Sequence, residues 1–348
     1  PAPDPAVLTM ASPASLIDAV PTGLEPGIVL DDQSRALLAE YDAMKAAWIE
    51  RVMAEGIGTS RAFADAVFDR FRGPDRDVVP PRIEGLGLPG GKGARPARLY
   101  HPGGDGPVPV ILFLHGGGWS LGGLDSYAGF AMSIAALSGC AVAALDYRLA
   151  PENGFPAALD DSLAAARHLL DHAGMFGGDR TRVAVMGDSA GGNLAAVVAR
   201  ELALAGDTRL KGQILVYPMT DVVSPDDRFA SRTLYGQGQH FLANAGIAFA
   251  RDTYLAGSDA RPGDPRISLL DAPVPAGIAA AFILTAGHDP LRDEAAAYHA
   301  QLERAGVASR YHCAGSTIHA FASFGVLDVA QDARRMLADA AREMLTKG

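Results

Sequence analysis

The chain predicts a doubly wound α/β fold, a mostly parallel central sheet flanked by helices, with a helical cap over one end of the sheet. Three observations carry this expectation. Apolar runs at residues 110–114, 141–145, 183–186, 214–217 and 281–285 are continuous, as strands buried on both faces are. Helical stretches near 126–138, 157–173 and 190–205 lie between runs, so strand and helix alternate and right-handed crossovers follow. Over sixty residues separate Tyr217 from Ala281, too many for one crossover, so part of 222–262 leaves the sheet.

In chain order, the Pro-rich residues 1–26 read as an arm. Leu37, Tyr41, Met44, Trp48 and Val52 then form a helical stripe, with Asp32 or Ser34 available as cap and Gly56 as stop. A weaker helix runs from 63 to 71, and the turn-rich, alternating texture of 78–100 fits antiparallel strands. After the last apolar run, Ala295, Tyr298, Leu302 and Ala305, then Val326, Ala330, Ala333, Leu337, Ala340 and Met344, keep helical spacing. Residues 1–75 are therefore expected to form the arm and cap, with help from 222–262, and 76–348 the α/β unit. Such a cap would cover the carboxyl ends of the strands, where open α/β sheets bind ligands.

A length of 348 residues allows two units, or one large α/β domain with an addition. The net charge of −10, with no Lys/Arg run, argues against nucleic acid as a partner. No apolar stretch is long enough for a transmembrane helix, and residues 1–26 lack the pattern of an intact signal peptide. A cytoplasmic, non-membrane location is the expectation, with export left open because the sequence starts at Pro1. Cys140 and Cys313 are too few for a disulfide scaffold and lack zinc-site spacing, so they read as buried free thiols, and no metal or cofactor set is found.

The strongest chemical signal is Gly187-Asp188-Ser189-Ala190-Gly191, between an apolar run and an Ala/Leu/Val-rich helix. A sharp strand-to-helix turn that exposes a nucleophile needs small residues around the serine, and the helix N-terminus adds partial positive charge. A Gly/Ser-rich helix cap is the plain alternative. His115-Gly116-Gly117-Gly118-Trp119 follows the run at 110–114, and its glycines allow main-chain N–H groups to approach a ligand oxygen; a flexible turn is the alternative there. In α/β-hydrolases the order is serine, acid, histidine. Asp289 and His319 fit that order, with Asp293 and His288 as rivals. Gly85, Gly87 and Gly90 match a dinucleotide pattern but lack the strand and helix around it, and a hairpin turn explains them better; Gly90 to Gly93 lack the remaining residues of a phosphate loop.

His115 to Trp119, Asp146-Tyr147-Arg148-Leu149-Ala150-Pro151-Glu152, Gly187 to Asn193, and Asp289 to Glu294 resemble the hormone-sensitive-lipase-like family of microbial carboxylesterases, in the branch carrying G-D-S-A-G. The resemblance covers about residues 80 to 325. It implies an α/β-hydrolase fold with an N-terminal helical cap, Ser189, Asp289 and His319 as triad, and oxyanion N–H groups from Gly117, Gly118 and Ala190. Asn153-Gly154 and Ala320 depart from the family's usual residues. The 146–152 segment, with Arg148 and Glu152, reads as a buried structural ion-pair loop. Trp119 is a candidate for narrowing the acyl side, or else packs under the cap. The expected function is hydrolysis of short-chain acyl or aryl esters, small molecules, with a homodimer allowed for. A lyase or dehydratase, or a receptor on the same scaffold, is the alternative; the intact Ser189 and His319 stand against both.

Overall fold

The computed structural model describes residues 28–346 apart from 74–77, 80, 105 and 262; the expected arm at 1–26 lies outside the described residues. Helices α1 (Asp32–Glu55) and α2 (Ile57–Phe71) come first. The N-cap of α1 is Asp31, one residue before Asp32 and three before Ser34, the expected caps, because its carboxylate reaches the Ser34 N–H at 2.7 Å. Gly56, at φ 82°, separates the two helices.

The hairpin β1 (Arg82–Gly90) and β2 (Gly93–His101) follows, with Gly85, Gly87 and Gly90 along β1 and the turn after them. The remaining elements are β3 (Val108–Leu114), α3 (Ala128–Ser138), β4 (Ala141–Leu145), α4 (Ala157–His172), β5 (Gly178–Asp188), α5 (Ala190–Leu204), β6 (Gly212–Val216), α6 (Ala230–Tyr235), α7 (Asn244–Leu255), β7 (Ala280–His288), α8 (Arg292–Arg304), β8 (Ser309–Ile318) and α9 (Asp328–Thr346). They build one eight-stranded sheet in the order β1-β2-β4-β3-β5-β6-β7-β8, parallel from β4 to β8.

Alternation along each strand divides the core. Leu112, Leu114, Val185 and Leu215 pack against α4, α5 and α8, whereas Ile111, Phe113, Met186 and Val216 pack against α3 and α9, together with Val67 and Phe71 of α2. Both faces being covered, the strands tolerate no polar alternation, which is why they read as continuous apolar runs.

The chain reverses direction between β3 and β5, the switch point at which open sheets form a crevice. Register then fixes what meets there. Leu114 pairs with Gly187, so the segment starting at His115 lies beside Asp188 and Ser189. His288 pairs with Ile318, so Asp289 lies beside His319.

Candidate active site

Ser189 has φ 54° and ψ −120°, a region costly for a non-glycine residue. The turn is held in it by backbone bonds: Ser189 N–H donates to Val216 O (2.9 Å), and Ser189 O accepts from Asn193 N–H (3.0 Å) and Met219 N–H (3.1 Å). Asn193 adds side-chain bonds to Met219 O and Ile267 O, both 2.8 Å. Gly191 is required by close approach, since a Cβ there would stand 2.1 Å from Leu114 O and 2.4 Å from His115 O.

The Ser189 hydroxyl lies 3.0 Å from His319 Nε2, and His319 Nδ1 lies 2.7 Å from Asp289 Oδ2. Asp289 has no exposed surface, and its other oxygen accepts the Leu291 N–H at 2.8 Å. Ser189 and His319 keep 8% and 4% of their surface, so the reactive edge is narrow. Of the two rivals, Asp293 is engaged elsewhere, by Ser231 N–H on α6 (2.8 Å) and by Arg292 (2.7 Å). His288 packs against Tyr235 and His240 of the 222–262 segment, and burial lowers its pKa. Ala320 takes a left-handed conformation, φ 66°, which accounts for glycine being the commoner residue there.

Across Ser189, the loop after β3 turns at Gly117, whose carbonyl accepts from Ser120 N–H (3.1 Å) and Leu121 N–H (2.9 Å). Gly118, at φ 59°, lies under α7, where a Cβ would come 2.7 Å from the Ala250 methyl. The N–H of Ala190 is the first of α5 and has no partner within the helix. Trp119, expected either to narrow the acyl side or to pack under the cap, has no exposed surface and stacks on Tyr254 of α7 at 4.5 Å and 8°. It therefore offers no face to a substrate and instead seats α7.

Two supports of this loop were hidden in the motifs. Asp188 is buried, accepts Gly116 N–H at 2.7 Å and the Tyr127 hydroxyl at 3.0 Å, and so bolts the loop to the serine turn. Burial pushes its carboxyl up to about 7, against the hydrogen bonds from Tyr127 and Gly116. A carboxyl set among small residues between buried elements was the available signal. His115 is buried, its pKa lowered by desolvation, with its ring stacked on Tyr147 at 4.3 Å and its carbonyl accepting the Tyr147 hydroxyl at 2.6 Å. The expected ion pairing at 146–152 needs correction. Arg148 is paired with buried Asp161 (2.8 Å), but Glu152 is about half exposed and pairs with Arg61 of α2 (2.7 Å). Glu152 lies at the loop's outer edge, facing α2.

A switch-point crevice with serine, imidazole and carboxylate in line at the strand ends defines the class as α/β hydrolase. Comparison with known proteins agrees: the model of the α/β hydrolase fold family matches residues 111–323, and the chain belongs to that family, among its hormone-sensitive-lipase-like carboxylesterases. It is 41% identical over 275 residues to the carboxylic ester hydrolase LipN of Mycobacterium tuberculosis, covering 77% of this chain and 70% of the relative. It is 36% identical over 255 residues to an ethyl acetate hydrolase of Pseudomonas putida, covering 72% and 79%. Among solved structures, an α/β hydrolase enzyme from the metagenome of Lake Arreo, Spain, superposes with a TM-score of 0.85 at 34% identity, covering 92% of this chain and 99% of that one. The protein is a serine hydrolase of carboxylic esters.

Among the described residues no helix is long and apolar enough to cross a membrane, and no three His, Cys, Asp or Glu side chains are grouped to hold a metal ion.

Proposed function

We propose that the chain hydrolyses short-chain acyl or aryl esters through an acyl-enzyme on Ser189. The observation that carries this reading is the line of contacts from Ser189 Oγ to His319 Nε2 (3.0 Å) and from His319 Nδ1 to Asp289 (2.7 Å). His319 takes the proton as Ser189 Oγ attacks the ester carbonyl carbon, and Asp289 orients the ring and stabilises its cation. The negative oxygen of the tetrahedral intermediate is received by the N–H groups of Gly117, Gly118 and Ala190. His319 then protonates the departing alcohol, and water repeats the sequence on the acyl-enzyme to release the acid and restore Ser189.

Helices α1, α2, α6 and α7 serve as the cap in this reading. With Ala250 against Gly118 and Tyr254 against Trp119, α7 packs directly over the oxyanion loop, which in this reading limits the room for a long acyl chain. A relative that hydrolyses ethyl acetate supports the same small substrates. The test compares kcat/KM for p-nitrophenyl acetate, butyrate, octanoate and palmitate in the wild type and Ser189→Ala. Short esters should be preferred and Ser189→Ala should fall below about a thousandth of the wild-type rate. Substantial activity in Ser189→Ala rejects the nucleophile, and palmitate as best substrate rejects the substrate class.

A further inference from the structure

Arg61, on α2, is far in sequence from the residues it holds. Its Nε donates to Ser120 O (2.9 Å), Nη2 donates to Ala150 O (3.0 Å), and the Glu152 carboxylate takes Nη1 (2.8 Å) and Nη2 (2.7 Å). Both carbonyls belong to the frame of the oxyanion loop. Ser120 closes the turn whose carbonyl is that of Gly117, and Ala150 N–H donates to Trp119 O at 2.9 Å. One guanidinium thus ties the end of the loop, at Ser120, to the Ala150 segment that holds the Trp119 carbonyl.

The arrangement is ill suited to a role in stability alone. Arg61 is 29% exposed and Glu152 53%, a setting in which an ion pair contributes little. What it does supply is geometry: a planar fork with fixed N–H directions makes four bonds at once, to two carbonyls and both oxygens of a carboxylate, whereas an ammonium has only three donors and no fixed plane. Asp188 fixes the near end of the loop at Gly116. Among the described residues the far end receives no buried carboxylate: Trp119 is held by its stack on Tyr254 and by the Ala150 N–H, and Ser120 Oγ has no partner there.

We propose that Arg61 is a positioning residue for ester hydrolysis: carried by the cap, it fixes the far end of the oxyanion loop, so the seating of α2 sets the rate of the chemical step. The inference rests on Gly117 and Gly118 acting as oxyanion donors. Donors must meet the oxyanion to within a fraction of an ångström, and a displacement of about 1 Å far from the chemistry can cost about 100-fold. Removing Arg61 should therefore lower kcat more than it raises KM.

The experiment uses the full chain with p-nitrophenyl butyrate and the variants Arg61→Ala, Arg61→Lys and, as control on the same helix, Arg70→Ala, whose partner is Glu40. Intact sites are counted by stoichiometric labelling of Ser189 with a fluorophosphonate. Arg61→Ala should lose about 10- to 100-fold in kcat per labelled site with KM within about threefold, and added guanidinium at millimolar concentration should restore part of it. Arg61→Lys should also lose kcat, and Arg70→Ala should match the wild type. A wild-type kcat per site in Arg61→Lys overturns the proposal even if Arg61→Ala does not fold. So does a loss in Arg61→Ala that vanishes once labelled sites are counted, or that guanidinium leaves untouched. If the wild type is not labelled at Ser189, the underlying reading of the site has failed instead.

Discussion

On one side of Ser189 lie His319 and Asp289; on the other lies the loop of Gly117 and Gly118, and the two sides are held by different means. Asp289 and His319 each stand one residue beyond a paired strand end, so the register of β7 and β8 places them side by side, and the Leu291 N–H holds the second oxygen of Asp289. The loop is register-controlled only at Gly116. Beyond it, the chain is braced by Arg61 of α2 and by Ala250 and Tyr254 of α7, none of which belongs to the sheet. On the proposed mechanism, the half that handles the proton is thus set by the core, whereas the half assigned to the oxyanion depends on how the surrounding helices are seated.

The sharpest way to break the comparison is to substitute within the core-held half. Asp289→Asn removes the charge that orients His319 and should lower kcat by up to about 10⁴-fold, roughly 5 kcal/mol in barrier, with little change in melting temperature. Asp293→Asn, by contrast, should stay far more active; the reverse order, measured by steady-state kinetics, would make Asp293 the acid. Gly191→Ala comes next, because its methyl must push the Leu114 and His115 carbonyls away from the serine turn; a loss of about 3 kcal/mol or more in denaturant unfolding is expected, and near-wild-type stability would mean that the serine turn is looser than described.

Substitutions on the helix-braced half should act more gently. Tyr254→Leu keeps an apolar side chain but removes the stack on Trp119, at a cost of about 1 kcal/mol in stability and a fall in kcat; Tyr254→Phe should match the wild type. Equal effects of the two changes on kcat would show that the stack does not hold the loop.

Asp188, which joins the halves, gives the smallest and most specific effect. Its carboxyl sits near 7 folded against 3.8 unfolded, so between those values the folded protein keeps a proton that the unfolded chain gives up, and stability falls as pH rises. Glu294, buried beside Arg232, is likewise raised to about 7 and acts in the same direction, so the comparison must be with Asp188→Asn and not with the absolute curve. From pH 5 to pH 8 the variant should gain on the wild type by about 1 kcal/mol or more, read from denaturant melts. Parallel curves would mean that Asp188 is charged throughout.

The same division governs what the sequence reveals. Five apolar runs mark β3 to β7 because strands covered on both faces admit no polar alternation, and the serine and glycine motifs are legible because backbone crowding at the turn dictates residue type over a few positions. Asp289 and His319 are legible through chain order. Arg61 carries no such signal: its partners are 59, 89 and 91 residues away, and nothing in α2 distinguishes it from the arginines around it. Glu152 was misassigned for the same reason, its partner being distant while Arg148 stood near. Trp119 left two readings open because a motif fixes a residue's place in the chain but not which helix will settle over it.

The stack of Trp119 on Tyr254 also makes the molecule its own optical gauge. The chain has two tryptophans. Trp119 is wholly enclosed against α7, and Trp48 lies partly exposed on α1, beneath Arg51 and beside Phe63. Their emission therefore differs in colour and in access to a soluble quencher, and the bluer component belongs to the junction between α7 and the oxyanion loop. Any lifting of α7 would expose Trp119 and shift that component to the red, so a single fluorescence trace during turnover distinguishes a fixed roof from one that opens with each ester it admits.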